Sequence, residues 1–157
     1  MKTRTLVLVS AAVVGVVVAG SVVRAELKKG KITGRSVMVA TVLDTTKLAN
    51  GTTVRHTHSK GFTVSNDPGS PFDGACEDVF LSDVLAADGT VVSSTASGDG
   101  VDRDGDAWSF VSGTQPGTWV YAGGTGKFKG IEGGGTYKLE KEWPDGRAIY
   151  SWEGTIK

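Results

Sequence analysis

Three evenly spaced aspartates are the residues of this chain best suited to bind a metal. Asp102, Asp104 and Asp106 stand at i, i+2 and i+4, and carboxylate oxygens are the ligands that calcium prefers. An EF-hand is excluded, because glycine stands fourth instead of sixth and Gly113 holds the twelfth position, where a bidentate glutamate is needed. Two interpretations stay open: a calcium site of another type, and a tight hairpin turn whose aspartates accept hydrogen bonds from local backbone amides.

The two histidines and the single cysteine are weaker candidates for chemistry. His56 and His58 are two apart, so on a strand both side chains would point to one face and could share a metal. No third ligand stands at a typical spacing, and a structural polar pair is the alternative. Cys76 cannot form an internal disulfide because it is the only cysteine. We expect it to be buried and inert, since a nucleophilic thiol needs a histidine beside it.

The glycine-rich stretch Gly123–Gly135 does not match the nucleotide-binding motifs that it superficially resembles. A P-loop requires a glycine five residues before Gly126-Lys127 and a Ser or Thr directly after that pair, but Tyr121 and Phe128 occupy these positions. The dinucleotide-binding pattern lacks its third glycine. Glycine this dense is typical of backbone that takes positive φ or approaches another strand closely. The stretch therefore predicts the corners of a closed sheet.

Composition and charge exclude one broad class of function. The chain has 157 residues, of which 39% are hydrophobic and 22% charged, as in an ordinary soluble domain with one core. Three of its 17 basic residues and none of its 17 acidic ones lie in the first 25 positions, so the remainder carries a net charge of −3. Nucleic-acid binding needs a concentrated basic face. We therefore expect no nucleic-acid partner.

The first 25 residues are predicted to be a targeting segment. Lys2 and Arg4 precede the apolar stretch Leu6–Val23, as in export signals. Cleavage after Ala25 would release a soluble periplasmic or secreted protein. Alternatively, the apolar stretch approaches the ~20 residues that cross a bilayer as a helix, and residues 1–25 would then remain as a transmembrane anchor. The positive-inside rule places the domain of such a protein on the periplasmic side of a bacterial cytoplasmic membrane.

The rest of the chain predicts a single all-β domain. Residues 26–34 are charged and expected to be a tether, followed by the domain at 35–157. Stretches that alternate apolar and polar residues flank three hairpin turn signals, Asn50-Gly51, Asp88-Gly89 and Pro144-Asp145-Gly146. No helical stripe follows residue 26. The irregular stretch Asn66–Gly74 is expected to form a long loop over one end of a barrel, a common location for binding function.

Aromatic side chains supply the candidate ligand contacts. In the last predicted strand Tyr150 and Trp152 share one face, because side chains at i and i+2 point the same way. Four earlier aromatics can supply the facing side, and the candidate set is Trp108, Phe110, Trp119, Tyr121, Tyr150 and Trp152. So many rings in a short chain also favour a lumen that is filled by its own side chains.

The segment from Gly123 to Tyr137, Gly-Gly-Thr-Gly-Lys-Phe-Lys-Gly-Ile-Glu-Gly-Gly-Gly-Thr-Tyr, resembles the signature of the allene oxide cyclase and dirigent-type β-barrels, Gly-Gly-Thr-Gly-(Lys/Arg)-Phe-x-Gly-x-x-Gly. The preceding Asp-x-Asp-Gly-Asp element is similar to one found with it in small exported bacterial proteins of this type. The match covers residues 102–154. It implies a single antiparallel barrel of about eight strands with an apolar interior. Plant members of the family steer cyclisation or radical coupling of hydrophobic substrates, but their catalytic residues do not map onto this chain.

Two functions of different classes are compatible with the sequence. The first is a non-catalytic extracytoplasmic barrel, tethered to the membrane and acting as an accessory subunit that contacts other membrane proteins. The second is a barrel whose lumen binds, isomerises or cyclises a small hydrophobic ligand, with Asp83, Glu140, Glu142 or His56 as conceivable acid–base groups at its mouth. The absence of a convincing catalytic constellation favours the first. No cofactor is expected apart from the calcium ion that the three aspartates could hold.

Overall fold

The computed structural model describes residues 27–113 and 117–157. The predicted signal or anchor at residues 1–25, with its hydrophobic helix, lies outside the described residues. Within the described ranges, no helix is long and apolar enough to cross a membrane. The described residues form a closed all-β structure, as the alternating sequence predicted.

Eight antiparallel strands close into a barrel in which each strand pairs with the next and β1 also pairs with β8. This up-and-down order confirms the predicted eight-stranded antiparallel barrel. The strands are β1 (Gly30–Lys47), β2 (Thr53–Ser65), β3 (Cys76–Leu85), β4 (Val91–Val101), β5 (Ala107–Ser112), β6 (Thr118–Gly124), β7 (Gly133–Glu142) and β8 (Arg147–Ile156). A short 3₁₀ turn, Gly126–Phe128, lies between β6 and β7.

The three predicted hairpin turns are confirmed, and they share one local hydrogen-bond pattern. In each, an Asn or Asp side chain accepts a hydrogen bond from the backbone amide two residues further on, as Asx turns do. Asn50 bonds the amide of Thr52 at 3.0 Å, and Asp88 and Asp145 act in the same way. The turns connect β1 to β2, β3 to β4 and β7 to β8.

The barrel begins earlier than the sequence indicated. Residues 30–34, expected to belong to the tether, form the start of β1, where Gly30 pairs with Ile156 of β8. The charged composition misled the prediction because only one face of this segment is charged. Lys31 points outward, with its Nζ 3.2 Å from Glu153, whereas Ile32 faces the lumen.

One end of the barrel is closed by an aromatic plug, which comprises the buried residues Phe72, Ala75, Trp108, Phe128, Ile131 and Ile156. Phe72 comes from the Asn66–Gly74 loop and inserts its ring 4.8 Å from Trp108 and 5.5 Å from Phe128, centroid to centroid. Burying a side chain of this size contributes about 1.5–3 kcal/mol. The loop lies at one end of the barrel, as predicted, but its Phe72 fills that end.

The ladders of the barrel wall differ greatly in length. β1 and β2 are paired along nearly the whole of β2, whereas β6 and β7 share only three registered pairs, from Thr118↔Thr136 to Val120↔Gly134. Beyond these pairs β6 continues to Gly124 alongside β5 alone, and the 3₁₀ turn follows. The β6–β7 seam is therefore the shortest ladder within the described strands.

Cys76 is exposed, so the prediction of a buried thiol is wrong. It is the first residue of β3, and its register partner on β2 is Phe62, which is also exposed. Glu77 takes the adjacent inward position, and side chains alternate between the two faces of a strand. The side chain of Cys76 therefore faces outward.

Candidate ligand-binding cavity

The lumen beyond the aromatic plug holds a cavity of about 130 Å³. The prediction of a filled lumen is therefore only partly right. Rings crowd the plug end, but small side chains such as Ser36, Ser59, Ala96 and Ser112 leave space further along. The volume is close to the roughly 150 Å³ of an engineered cavity that takes up benzene and below the ~300 Å³ of pockets for drug-sized molecules. A compact ligand fits it.

Glu77 is the one carboxyl group on the cavity wall, which among the described residues includes no Lys, Arg or His. Its Oε2 accepts a 2.6 Å hydrogen bond from Ser36 Oγ. Burial raises the pKa of Glu77, and the bond from Ser36 offsets this only in part. The side chain therefore keeps its proton to a higher pH than a glutamate in water. A neutral carboxyl both donates and accepts hydrogen bonds.

The surroundings of Glu77 explain why its charge is disfavoured. Its register partners are glycines, Gly61 on β2 and Gly100 on β4. Met38 packs over Gly61 and the Trp108 ring packs over Gly100, in space that a side chain at either glycine would otherwise take. A thioether and an indole thus occupy both flanks of the carboxyl. Neither can balance a negative charge.

Tyr121 adds a second polar group to the same part of the lumen. Burial, followed by the charge of nearby Glu77, raises the pKa of Tyr121. The phenol therefore stays protonated throughout the physiological range. Tyr121 and Glu77 can both offer hydrogen bonds to an oxygen or nitrogen of a bound molecule.

The mouth opposite the plug carries a buried polar cluster. Asp83 lies on the same face of β3 as Glu77, six residues on, which corresponds to about 20 Å along a strand. Its carboxylate is 2.8 Å from Arg55 Nη2 and accepts a 2.7 Å hydrogen bond from Ser94 Oγ. Arg55 Nε is buried without a hydrogen-bond partner. The pair leaves this mouth polar yet nearly balanced in charge.

Two tyrosines line the lumen between Glu77 and the mouth. Tyr137 and Tyr150 meet edge to face, with ring centroids 6.3 Å apart and an interplanar angle of 69°. Burial raises the pKa of both phenols, and the nearby charge of Asp83 adds to the effect. Glu142 also raises the pKa of Tyr150, so it lies near this mouth.

All six predicted aromatic contacts line the cavity: Trp108, Phe110, Trp119, Tyr121, Tyr150 and Trp152. Their rings stand at large angles to one another. Trp119 is 79° from Tyr121 and 67° from Phe110. Trp119 therefore meets each of these two neighbours in a T-shaped contact. Whether they contact a ligand stays a prediction.

The three aspartates form a tight turn that surrounds a lysine. Asp102 Oδ1 accepts bonds from the amides of Asp104 and Asp106, as the hairpin interpretation predicted. The Lys127 ammonium contacts Asp104 and lies 2.7 Å from Asp102 and 4.0 Å from Asp106. Burial would lower the pKa of Lys127, but hydrogen bonds to Asp102 and Asp104 outweigh this and raise it. A side-chain cation thus lies among the carboxylates proposed for calcium.

Calcium binding at this turn can be tested by thermal unfolding. Because the Lys127 ammonium already lies between the carboxylates where an ion would bind, we expect EDTA and millimolar calcium to leave the midpoint temperature unchanged. A bound ion would raise it with concentration. A calcium-dependent rise that disappears in Asp104→Asn would restore the calcium interpretation.

The two histidines bond to separate carboxylates. His56 Nδ1 is 2.8 Å from Asp44, and His58 Nε2 is 2.5 Å from Asp78. His58 also stacks on Phe80, with ring centroids 4.2 Å apart. Over the described part of the chain, no group of three or more His, Cys, Asp or Glu residues is arranged to hold a metal.

Sequence reasoning missed the most distinctive residue of the cavity. Of the four proposed acid–base groups, Asp83 lies in the mouth cluster, while Glu140 pairs with Arg35 at 2.9 Å and His56 with Asp44. Glu77 was not among them. The available signal was the alternation in β3, where Glu77 shares its face with Val79 and Leu81.

Comparison with known proteins supports the fold. No family model matches the sequence, and no curated protein matches it either. Among solved structures, the chain is similar to a pterocarpan synthase dirigent protein, with a TM-score of 0.51 and 11% sequence identity, over 84% of this chain and 92% of that one. At this identity the similarity shows the fold alone. It agrees with the dirigent-like barrel that the glycine-rich segment indicated.

Proposed function

We propose that this barrel binds a small, largely apolar molecule in its lumen. The observation that carries the proposal is the Glu77 carboxyl, which lies in the wall of an aromatic cavity whose described lining includes no Lys, Arg or His. An unused polar group in an apolar interior is costly, whereas the same group fixes the orientation of a bound molecule that has one polar atom. The cavity of about 130 Å³ limits the ligand, or the part of it that enters, to the size of one small ring.

Blocking the lumen tests this proposal. Cyclohexanone is a suitable probe, because its ring fits the cavity and its carbonyl can accept a bond from Glu77. We expect its binding, measured by calorimetry and tryptophan fluorescence, to weaken at least tenfold in Ala96→Leu, which fills space on the cavity wall. Ser97→Leu, the matched control on the outer face of β4, should bind as the wild type does. Equal binding by both variants would place the ligand outside the lumen.

A catalytic version of this function is favoured by the same carboxyl. While it holds its proton, the Glu77 carboxyl could donate it to a bound alkene or epoxide, and the carboxylate left behind could take a proton back from the resulting cation, so that the substrate is isomerised or cyclised with no net change in protons. In that case Glu77→Gln would abolish turnover while binding of the neutral substrate persists. Loss of binding and turnover together would assign Glu77 to binding only.

The cellular location of the barrel is a separate proposal that rests on the sequence of residues 1–25. We propose that they place the domain outside the cytoplasmic membrane, as an anchor or as a cleaved signal. An anchored barrel could also act as an accessory subunit of a membrane assembly. Intact mass and membrane fractionation of the native protein distinguish the cases. A mass lacking residues 1–25 and full solubility without detergent would contradict the anchor.

A further inference from the structure

The aromatic wall of the cavity can stabilise a positive charge as well as an apolar group. Trp119 stands at 67° to Phe110 and at 79° to Tyr121, and all three rings line the cavity. The face of an aromatic ring is negative and attracts cations, most strongly where water is excluded. Cages of this kind recognise quaternary ammonium groups in other proteins.

The ionisable groups also favour a cation. Those facing the cavity or its mouth are Arg55 on β2, Glu77 and Asp83 on β3, Tyr121 on β6, Tyr137 and Glu142 on β7, and Tyr150 on β8. Among the described residues of this group, the only base is Arg55, which is paired with Asp83. Within the same part of the chain Glu77 has no basic partner, and it accepts a hydrogen bond from the Ser36 hydroxyl. A charged ligand that supplied the missing counterion would be stabilised.

We propose that the lumen ligand is a small organic cation, an ammonium group with methyl or similar apolar substituents. The inference rests on the proposed lumen binding and specifies its ligand class. A tetramethylated nitrogen is about the size of a small ring, so it fits the space of about 130 Å³. Its charge would lie between ring faces and beside the Glu77 carboxyl.

Binding of such a cation is coupled to a proton. In the empty cavity, burial raises the pKa of Glu77, so below that pKa an entering cation meets a protonated carboxyl. An ammonium group stabilises the carboxylate, so the proton leaves for solvent as the cation enters. The affinity for the cation therefore rises as pH rises and becomes constant once Glu77 is ionised in the empty protein. A neutral ligand that accepts a hydrogen bond from the Glu77 carboxyl shows the opposite trend, because only the protonated carboxyl can donate that bond.

Choline and 3,3-dimethylbutan-1-ol provide a matched pair of probes, because they differ only in nitrogen against carbon at the centre of the head group. We expect calorimetry on the purified full chain at pH 8 to give at least tenfold tighter binding of choline. Titrations at successively lower pH, in buffers of different ionisation enthalpy, should show proton release on binding of choline alone once the pH falls below the pKa of Glu77 in the empty protein. Glu77→Gln, which retains the shape of the side chain, should remove the preference, and Glu132→Gln on the surface should not.

Three other outcomes would contradict the cation, the role of Glu77 or lumen binding itself. Equal or tighter binding of the alcohol would reject the cation and leave lumen binding intact. A preference for choline that persists in Glu77→Gln, or an affinity for choline that does not rise with pH, would reject the role of Glu77. Failure of choline, the alcohol and cyclohexanone to bind would reject the proposed function itself.

Discussion

Replacing Lys127 with methionine is expected to lower the free energy of unfolding by about 3–5 kcal/mol, as the loss of one partner from a buried ion pair does. The Lys127 side chain is 5% exposed, and Asp102 and Asp106 are buried beside it. Methionine keeps the apolar stem and removes the charge. Two carboxylates would then lie in a low-dielectric site without a counterion. Urea unfolding at pH 7 measures the change.

Two companion variants separate charge from packing. Lys129→Met removes an exposed lysine two residues away and should change stability by less than about 0.5 kcal/mol. Adding Asp102→Asn to Lys127→Met should recover part of the loss, because one unpaired charge disappears while the amide oxygen can still accept the turn's backbone bonds. If Lys127→Met proves as stable as Lys129→Met, the buried network contributes nothing.

Glu77 is expected to make the barrel less stable as pH rises. Between the ordinary pKa of a glutamate and the raised pKa of Glu77, the folded state holds a proton that the unfolded state has lost. The free energy of unfolding therefore falls with rising pH across that window, by up to about 1.4 kcal/mol per pH unit. Below the window this loss is absent. Above it the full cost of burying a carboxylate remains.

Glu77→Gln should remove this slope and be more stable than the wild type at pH 8. Chemical unfolding between pH 4 and 9 checks the expectation. Glu132→Gln is the control, because Glu132 is exposed and should leave the wild-type slope in place. A wild-type slope that persists in Glu77→Gln would mean that another group titrates with folding.

The strand framework was predictable because each of its determinants is local. Alternation with a period of two and Asx-type turns depend on residues a few positions apart, and the hairpins at Asn50-Gly51, Asp88-Gly89 and Pro144-Asp145-Gly146 are where the sequence indicated. The aromatic set around the lumen follows from the same alternation. Closure of β1 against β8 was indicated by resemblance, since it joins residues more than 100 positions apart.

The chemistry of the cavity was not predictable, because it depends on which face of a strand turns inward and on what lies opposite. Cys76 and Glu77 are neighbours, and a shift of one residue would exchange their positions. Register placed Glu77 between Gly61 and Gly100, and only the fold brings Met38 and Trp108 over those glycines. Lys127 likewise stands more than 20 positions from the aspartates it neutralises.

The β6–β7 seam, which has only three registered pairs, is the weakest line in the barrel wall formed by the described strands. A closed wall resists opening only as well as its shortest row of hydrogen bonds, and sub-global openings begin where few bonds must break. Fluctuations should therefore separate β6 from β7 along this seam and open the barrel wall lengthwise. A molecule too bulky for the resting lumen would then have a sideways entrance. The volume of the closed lumen limits which molecules the cavity can hold, and opening of the β6–β7 seam limits which molecules can enter it.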